Sequence, residues 1–245
     1  MQPLSVEIYC PELGGAAPEI VQADVQSRLG DSGVVLMMEE RAPDPAALTA
    51  ALAQSWQFPD ARQALEPCRF VLTLRETPAP GAAPADRLAA LQRAVQTALE
   101  AVHGEALHCL DSQQFIPPGL FVGETEARGI PTLQAGAINV RFFRIDTPGV
   151  ADGRFLMDTL GLHALGLPDV QIDYRWLDPG AVARTLFGAA AYIFEFGDVI
   201  EDGHSIEGCL PGSRWSAKRM DSVAEPRRPV VAFDPGVPYS TRDEQ

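Results

Sequence analysis

The chain has 245 residues, 46% of them hydrophobic and 21% charged, with a formal net charge of −14. That balance belongs to a folded globular protein, and the length suffices for one large core or two smaller ones. The charge argues against nucleic acid as a partner, since phosphate contacts need a basic face, and suits either plain solubility or a basic protein partner.

Strands and helices alternate through the first half. Val6, Ile8 and Cys10 alternate with polar positions as in a half-buried strand. Gly14-Gly15 then turn the chain into a helix with Val21, Val25 and Leu29 at i+4 spacing, ended by Gly30. A second strand runs from Val34 to Met38. Asp44-Pro45 supplies an N-cap and first-turn proline for a helix whose Leu48, Leu52 and Trp56 share a face. Phe70 to Leu74 is a third strand, and the Pro, Ala and Gly stretch from Thr77 to Pro84 is a linker. Leu88, Leu91, Val95, Leu99 and Val102 mark a long amphipathic helix that stops at Gly104, after which Ala106 to Phe115 returns as strand. Residues 117–136 mix Pro, Gly and charge without periodicity, which predicts a long loop or linker.

The second half reads as a strand from Ile138 to Ile145, a block from Arg154 to Tyr174 and a strand from Val170 to Trp176. A helix opened by Asp178-Pro179 follows, burying Val182, Leu186, Phe187, Ala190, Ile193 and Phe194 before Gly197, and then terminal strands. The strand, Asp-Pro, helix unit occurs twice, which fits either a duplication or simply good helix-start chemistry. The expected fold is α+β: a mixed or antiparallel sheet with helices packed on it, in two lobes of similar size. The first lobe spans 1–116, the linker or loop 117–136 and the second lobe 137–234, with a frayed polar tail over 235–245.

Cys10, Cys68, Cys109 and Cys209 are scattered without a C-x-x-C pair or zinc-finger spacing, so reduced, mostly buried thiols are expected. The first residues lack a basic n-region and an apolar h-region, and no apolar run approaches the ~18 residues a membrane helix needs. The cytoplasm is the expected location, with no membrane partner. Lys218 is the one lysine among 19 basic residues, and with the many Ala and Pro residues this bias points to a GC-rich bacterial genome.

Three stretches carry a family resemblance: RFLMDTLGLHALGLPDVQIDY over 154–174, EFGDVIEDGHSIEG over 195–208 and RRPVVAFDP over 227–235. Together they resemble the bacterial domain-of-unknown-function family numbered 4261, whose members carry a similar DTLGL…LGLPD block, a helix and a GD.I.DG.SI turn. The resemblance runs from Gly33 to Pro235 and is strongest after Asn139. It implies an architecture rather than an activity.

Several groups of residues invite chemistry. Gly203-His204-Ser205-Ile206-Glu207-Gly208 brushes against a G-x-S-x-G nucleophile elbow, but its closing glycine is one position too far, and a tight acidic turn is the plainer account. Glu195, Asp198, Glu201, Asp202, His204 and Glu207 crowd together in metal-ligand types without a metal register, so no metal is expected. Asp158, His163 and Asp169 could position a general base, or Asp158-Thr159 could cap a helical turn from Leu160 to Leu165 with Asp169 in the next turn. His103 suits a helix C-terminus, and His108 lies on a strand with no partner visible in sequence. Gly14-Gly15 lacks the register of a phosphate or dinucleotide loop, so no cofactor is expected. Arg214, Lys218, Arg219, Arg227 and Arg228 form a basic island interleaved with Trp215, either a partner-binding patch or pairs for nearby acids.

The leading functional expectation is a non-catalytic protein-binding module, such as an immunity or accessory protein that captures a basic toxin or secretion component. The alternatives are a hydrolase-type enzyme built from Asp158, His163, His204 and Glu207, and an oligomeric structural module.

Overall fold

A proline at the first helical position costs no hydrogen bond, because the N–H it lacks would have no intrahelical partner. Pro18, Pro84, Pro118 and Pro179 each open a helix in this way in the computed structural model, which describes residues 2–145 and 153–241. The fold is α+β, 31% helix and 28% strand. The chain divides into two compact units, Met1–Asn139 and Val140–Gln245.

The first unit runs β1 (Ser5–Cys10), α1 (Pro18–Leu29), β2 (Val34–Glu40), α2 (Thr49–Ala53), α3 (Ala61–Leu65), β3 (Phe70–Glu76), α4 (Pro84–Ala101), β4 (Ala106–Cys109), β5 (Gln114–Ile116) and α5 (Pro118–Arg128). Its antiparallel sheet has the order β2-β3-β1-β4-β5. Setting aside α2, α3, β5 and α5, this is the βαββαβ arrangement of a ferredoxin-like fold, with β3 inserted between β1 and β2. Ile8, Leu72 and Leu107 share one fully buried face, and α1 and α4 touch each other and the sheet. Tyr9, Val71 and Ala106 share the other face, where Ala51, Ala61 and Leu65 of α2 and α3 close a second small core with Cys68 and Phe115.

The second unit runs β6 (Asn139–Ile145), β7 (Arg154–Leu160), a 3-10 turn (Leu162–Leu165), β8 (Asp169–Tyr174), α6 (Pro179–Phe196), β9 (Ser205–Glu207), β10 (Arg214–Asp221) and β11 (Pro229–Asp234). The sheet order is β6-β7-β8-β11-β10-β9, with β8 and β11 parallel. Helix α6 packs on β7 and β8. Its start is fixed by the Asp178 carboxylate, which accepts the Ala181 N–H at 2.8 Å, and its end by Gly197, whose φ of 84° is open to glycine but strained for other residues.

Several expectations need correction. Residues 117–136 are not a structureless linker, because Pro117-Pro118 starts α5 inside them. Ala106 to Phe115 is a hairpin rather than one strand, turned at Gln113 with φ of 50°. Asp44 does not cap a long helix: its Oδ1 accepts the Ala46 N–H in a turn, α2 spans only five residues and Trp56 is 60% exposed. Phe187 and Phe194 on α6 are only half-buried. The segment after Asp234 is tied down: Ser240 bridges Tyr174, and the Thr241 hydroxyl donates to Asp173 at 2.5 Å. The remainder of the predicted tail, 242–245, lies outside the described residues.

Candidate functional site

Asp158, Thr159 and Asp169 of β7 and β8 are fully buried, and a buried carboxylate needs donors on every side to offset its lost hydration. Asp158 is held by two arginines. Arg141 of β6 binds it in a fork, Nε at 2.9 Å and Nη2 at 2.5 Å, and Arg228 reaches its Oδ2 at 2.7 Å. Arg228 also donates to Asp169 Oδ2 at 2.9 Å and to the Thr159 carbonyl at 2.6 Å, so one guanidinium ties β7 to β8 from the residue before β11. Two buried arginines facing two buried carboxylates leave the cluster neutral, a balance that local sequence does not show.

Asp169 has a second task. Its Oδ1 accepts the Leu162 N–H at 3.1 Å and the Thr159 hydroxyl at 3.0 Å, while its Oδ2 takes the His163 N–H at 3.3 Å and faces His163 Nδ1 at 3.1 Å. The cap of the 3-10 turn is therefore Asp169, not Asp158-Thr159. Asp158 cannot serve because it lies inside strand β7 and both its oxygens are occupied. His163, with a side chain 18% exposed, is where the cluster reaches solvent.

The other candidate catalytic residues lie elsewhere. His204 faces Glu201, its Nδ1 accepting the Glu201 N–H at 3.3 Å, in an exposed turn, and Glu207 sits opposite Arg214 in the β9–β10 register. Asp158 and His163 thus join one network, whereas His204 and Glu207 pair with β10, the His204 carbonyl accepting the Ala217 N–H and Glu207 lying opposite Arg214. Among the described residues no three or more His, Cys, Asp and Glu side chains converge as metal ligands would, the acidic turn included. Asp198 in that turn is neutralised by Arg219 at 2.6 Å, which also donates to the Ile200 carbonyl, and Asp202 accepts the Arg219 N–H.

The basic island is largely spent on such contacts. Arg214 donates to the Ser205 hydroxyl at 2.7 Å, and Arg228 is buried in the ionic cluster. Trp215, expected as a partner contact, is 1% exposed and packs 6.4 Å from the Phe233 ring, so its indole belongs to the core. Lys218 is exposed on β10, opposite Ala232 of β11.

Sequence reading missed a second polar cluster, in the first unit. Glu7 accepts from the Tyr9 hydroxyl at 2.7 Å and from Arg41 at 2.8 Å, and faces His108 Nδ1 at 3.3 Å, while His108 stacks on Phe115 at 4.3 Å. His108 therefore has a partner after all, across the β1–β4 register. Burial raises the Glu7 carboxyl, but the donors from His108, Tyr9 and Arg41 outweigh it and hold the group at about 2. The Tyr9 phenol is driven up by burial and by the Glu7 carboxylate beside it. The local signal was an acid among apolar alternations at Glu7, two residues from Tyr9 on the same strand face. Its histidine partner, 101 residues away, carried none.

An apolar cleft runs beside α6. Thr185, Gly188, Ala189 and Tyr192 line one side and Ile200, Ile206 and Glu207 the other, around a volume of about 240 Å³. The Tyr192 and Phe196 rings lie tilted against each other, centroids 4.7 Å apart, while 48% and 55% exposed, and Val199 is 42% exposed. The helix that buries Leu186, Ala190 and Ile193 inward thus keeps an aromatic strip on the surface.

The fold and its sites define a two-unit α+β chain whose second sheet is latched by a buried charge cluster and flanked by an open apolar cleft. Residues 158–234 match the model of a family described as Domain of unknown function (DUF4261). The match runs from Asp158 to Asp234, takes in the end of β7, all elements from the 3-10 turn to β11 and every member of the buried cluster except Arg141, and is narrower than the resemblance read from Gly33 to Pro235. No curated protein and no solved structure matches the chain. No helix of the described residues is long and apolar enough to cross a membrane.

Proposed function

We propose that this chain is a non-catalytic protein-binding module of the bacterial cytoplasm, acting as an immunity or accessory protein for a toxin or secretion component. The observation that carries the reading is the cleft beside α6: an exposed aromatic pair next to a hollow lined by Ala189, Ile200 and Ile206. Large apolar side chains left together at a surface are the usual anchor of an interface. The polar residues best suited to chemistry support it from the other direction, since each Asp158 and Asp169 oxygen is already occupied by donors.

The test is photo-cross-linking in the native cell, with the reactive group placed at Tyr192 or, as a control, at Ile20, which is 64% exposed on α1. One protein joined at Tyr192 and not at Ile20 is the expected result. Adducts of the chain with itself would replace this reading with the oligomeric module, and no Tyr192-specific adduct would sink it. The hydrolase alternative, on Asp158, His163, His204 and Glu207, predicts that His163→Asn abolishes an activity without lowering stability.

A further inference from the structure

We infer that the α6 cleft receives a basic segment of the partner, with one bulky apolar side chain entering the cleft and flanking Lys or Arg residues meeting Glu195, Glu201 and Glu207. The inference rests on the binding-module reading and adds the partner's chemistry.

Charge is the first argument. Glu207 lines the cleft, Glu195 lies one helical turn beyond Tyr192, and Glu201 follows the lining residue Ile200. Among the described residues no cation holds Glu195 or Glu207: the Arg214 guanidinium opposite Glu207 is turned to the Ser205 hydroxyl. Glu201 has only His204, at 4.0 Å. The nearby acid that is neutralised, Asp198, has its own arginine. Arg184 lies near Asp178 at the opposite end of α6, since a Cβ built on Gly180 would sit 3.4 Å from one and 3.5 Å from the other. An apolar opening with one carboxylate, Glu207, in its lining and two more beside its lining residues, in a chain of net charge −14, attracts a cationic partner and repels an acidic one.

Space is the second argument. A Cβ built on Gly188, in the wall of the cleft, meets nothing within 4 Å, so the helix leaves room where the partner's side chain would lie. The same fact provides a blocking variant. Gly188→Leu adds a bulky side chain at the wall of the cleft, at a helical position that favours leucine over glycine.

The probe is a phage-displayed library of random peptides, roughly twelve residues long, selected on the intact chain and counter-selected on Gly188→Leu. Enriched peptides should share an apolar anchor flanked by Lys or Arg. Their synthetic versions should bind Gly188→Leu and Glu195→Lys/Glu207→Lys at least about tenfold more weakly, and weaken as salt rises. Circular dichroism checks that each variant is folded, and Tyr192→Asp replaces Gly188→Leu if the latter is not. Peptides without basic bias, or peptides indifferent to the blocking variant, would overturn the inference while leaving a binding module in place. No enrichment above an unrelated acidic protein would count against both.

Discussion

Burial alone would lift the Glu7 carboxyl above its ordinary range, and the donors from His108, Tyr9 and Arg41 reverse that sign to hold it at about 2. A group whose folded value lies below its unfolded value of 4.5 adds stability that is complete above about 4.5 and is lost as pH falls toward 2. Urea denaturation of the wild type should therefore weaken across that window, and Glu7→Gln should flatten the slope; an unchanged slope would show that Glu7 is not the group responsible. Arg228 poses the opposite problem, a buried cation serving two buried carboxylates. Arg228→Met strips a partner from both Asp158 and Asp169, and the expected loss is about 3–5 kcal/mol in the same assay, against near neutrality for a change at an exposed ion pair such as Arg28–Asp24. Either residue looks ordinary in the sequence. Glu7 reads as one polar position of an alternating strand, and Arg228 as one member of a basic run that turns out to divide between core and surface.

At the scale of elements, local chemistry was a good guide wherever a cap and a hydrophobic period agreed. Asp178-Pro179 and the run through Val182, Leu186 and Ile193 located α6, and the Asp178→Ala change should cost about 0.5–2 kcal/mol by thermal melting, with the loss confined to a cap that accepts one N–H. A loss below a few tenths of a kcal/mol would mean that Pro179 alone sets the helix start. The same Asp-Pro chemistry misled at Asp44: Leu48, Leu52 and Trp56 follow it at helical spacing, but the chain makes a turn and the short α2 instead, and Trp56 stays exposed. Helix α5 was invisible for a related reason. Its buried residues Phe121 and Thr125 are one turn apart and too few to mark a period amid Pro, Gly and charge. In the sequence, Asp158-Thr159 just upstream is a natural cap for the turn before β8, because most N-caps lie immediately before the helix they start. The fold supplies it from downstream, through Asp169 at the start of the next strand.

At the scale of the whole molecule, each sheet closes within its own unit, and the family match lies entirely in the second. By itself the sequence determined the α+β class, most strands and long helices, the acidic character and the block shared with the family. All of these follow from composition, from periods of two and 3.6 residues, and from caps a few residues away. The tertiary structure alone decided that Arg228 serves Asp158 from 70 residues away, that Glu7 faces His108 and that Trp215 is core while Tyr192 and Phe196 stay exposed. Those outcomes depend on which strands become neighbours and in what register. Strand pairing brings together residues whose separation along the chain carries no periodic signal, and it is that pairing that turned isolated charges into a latch and one helix face into an open cleft.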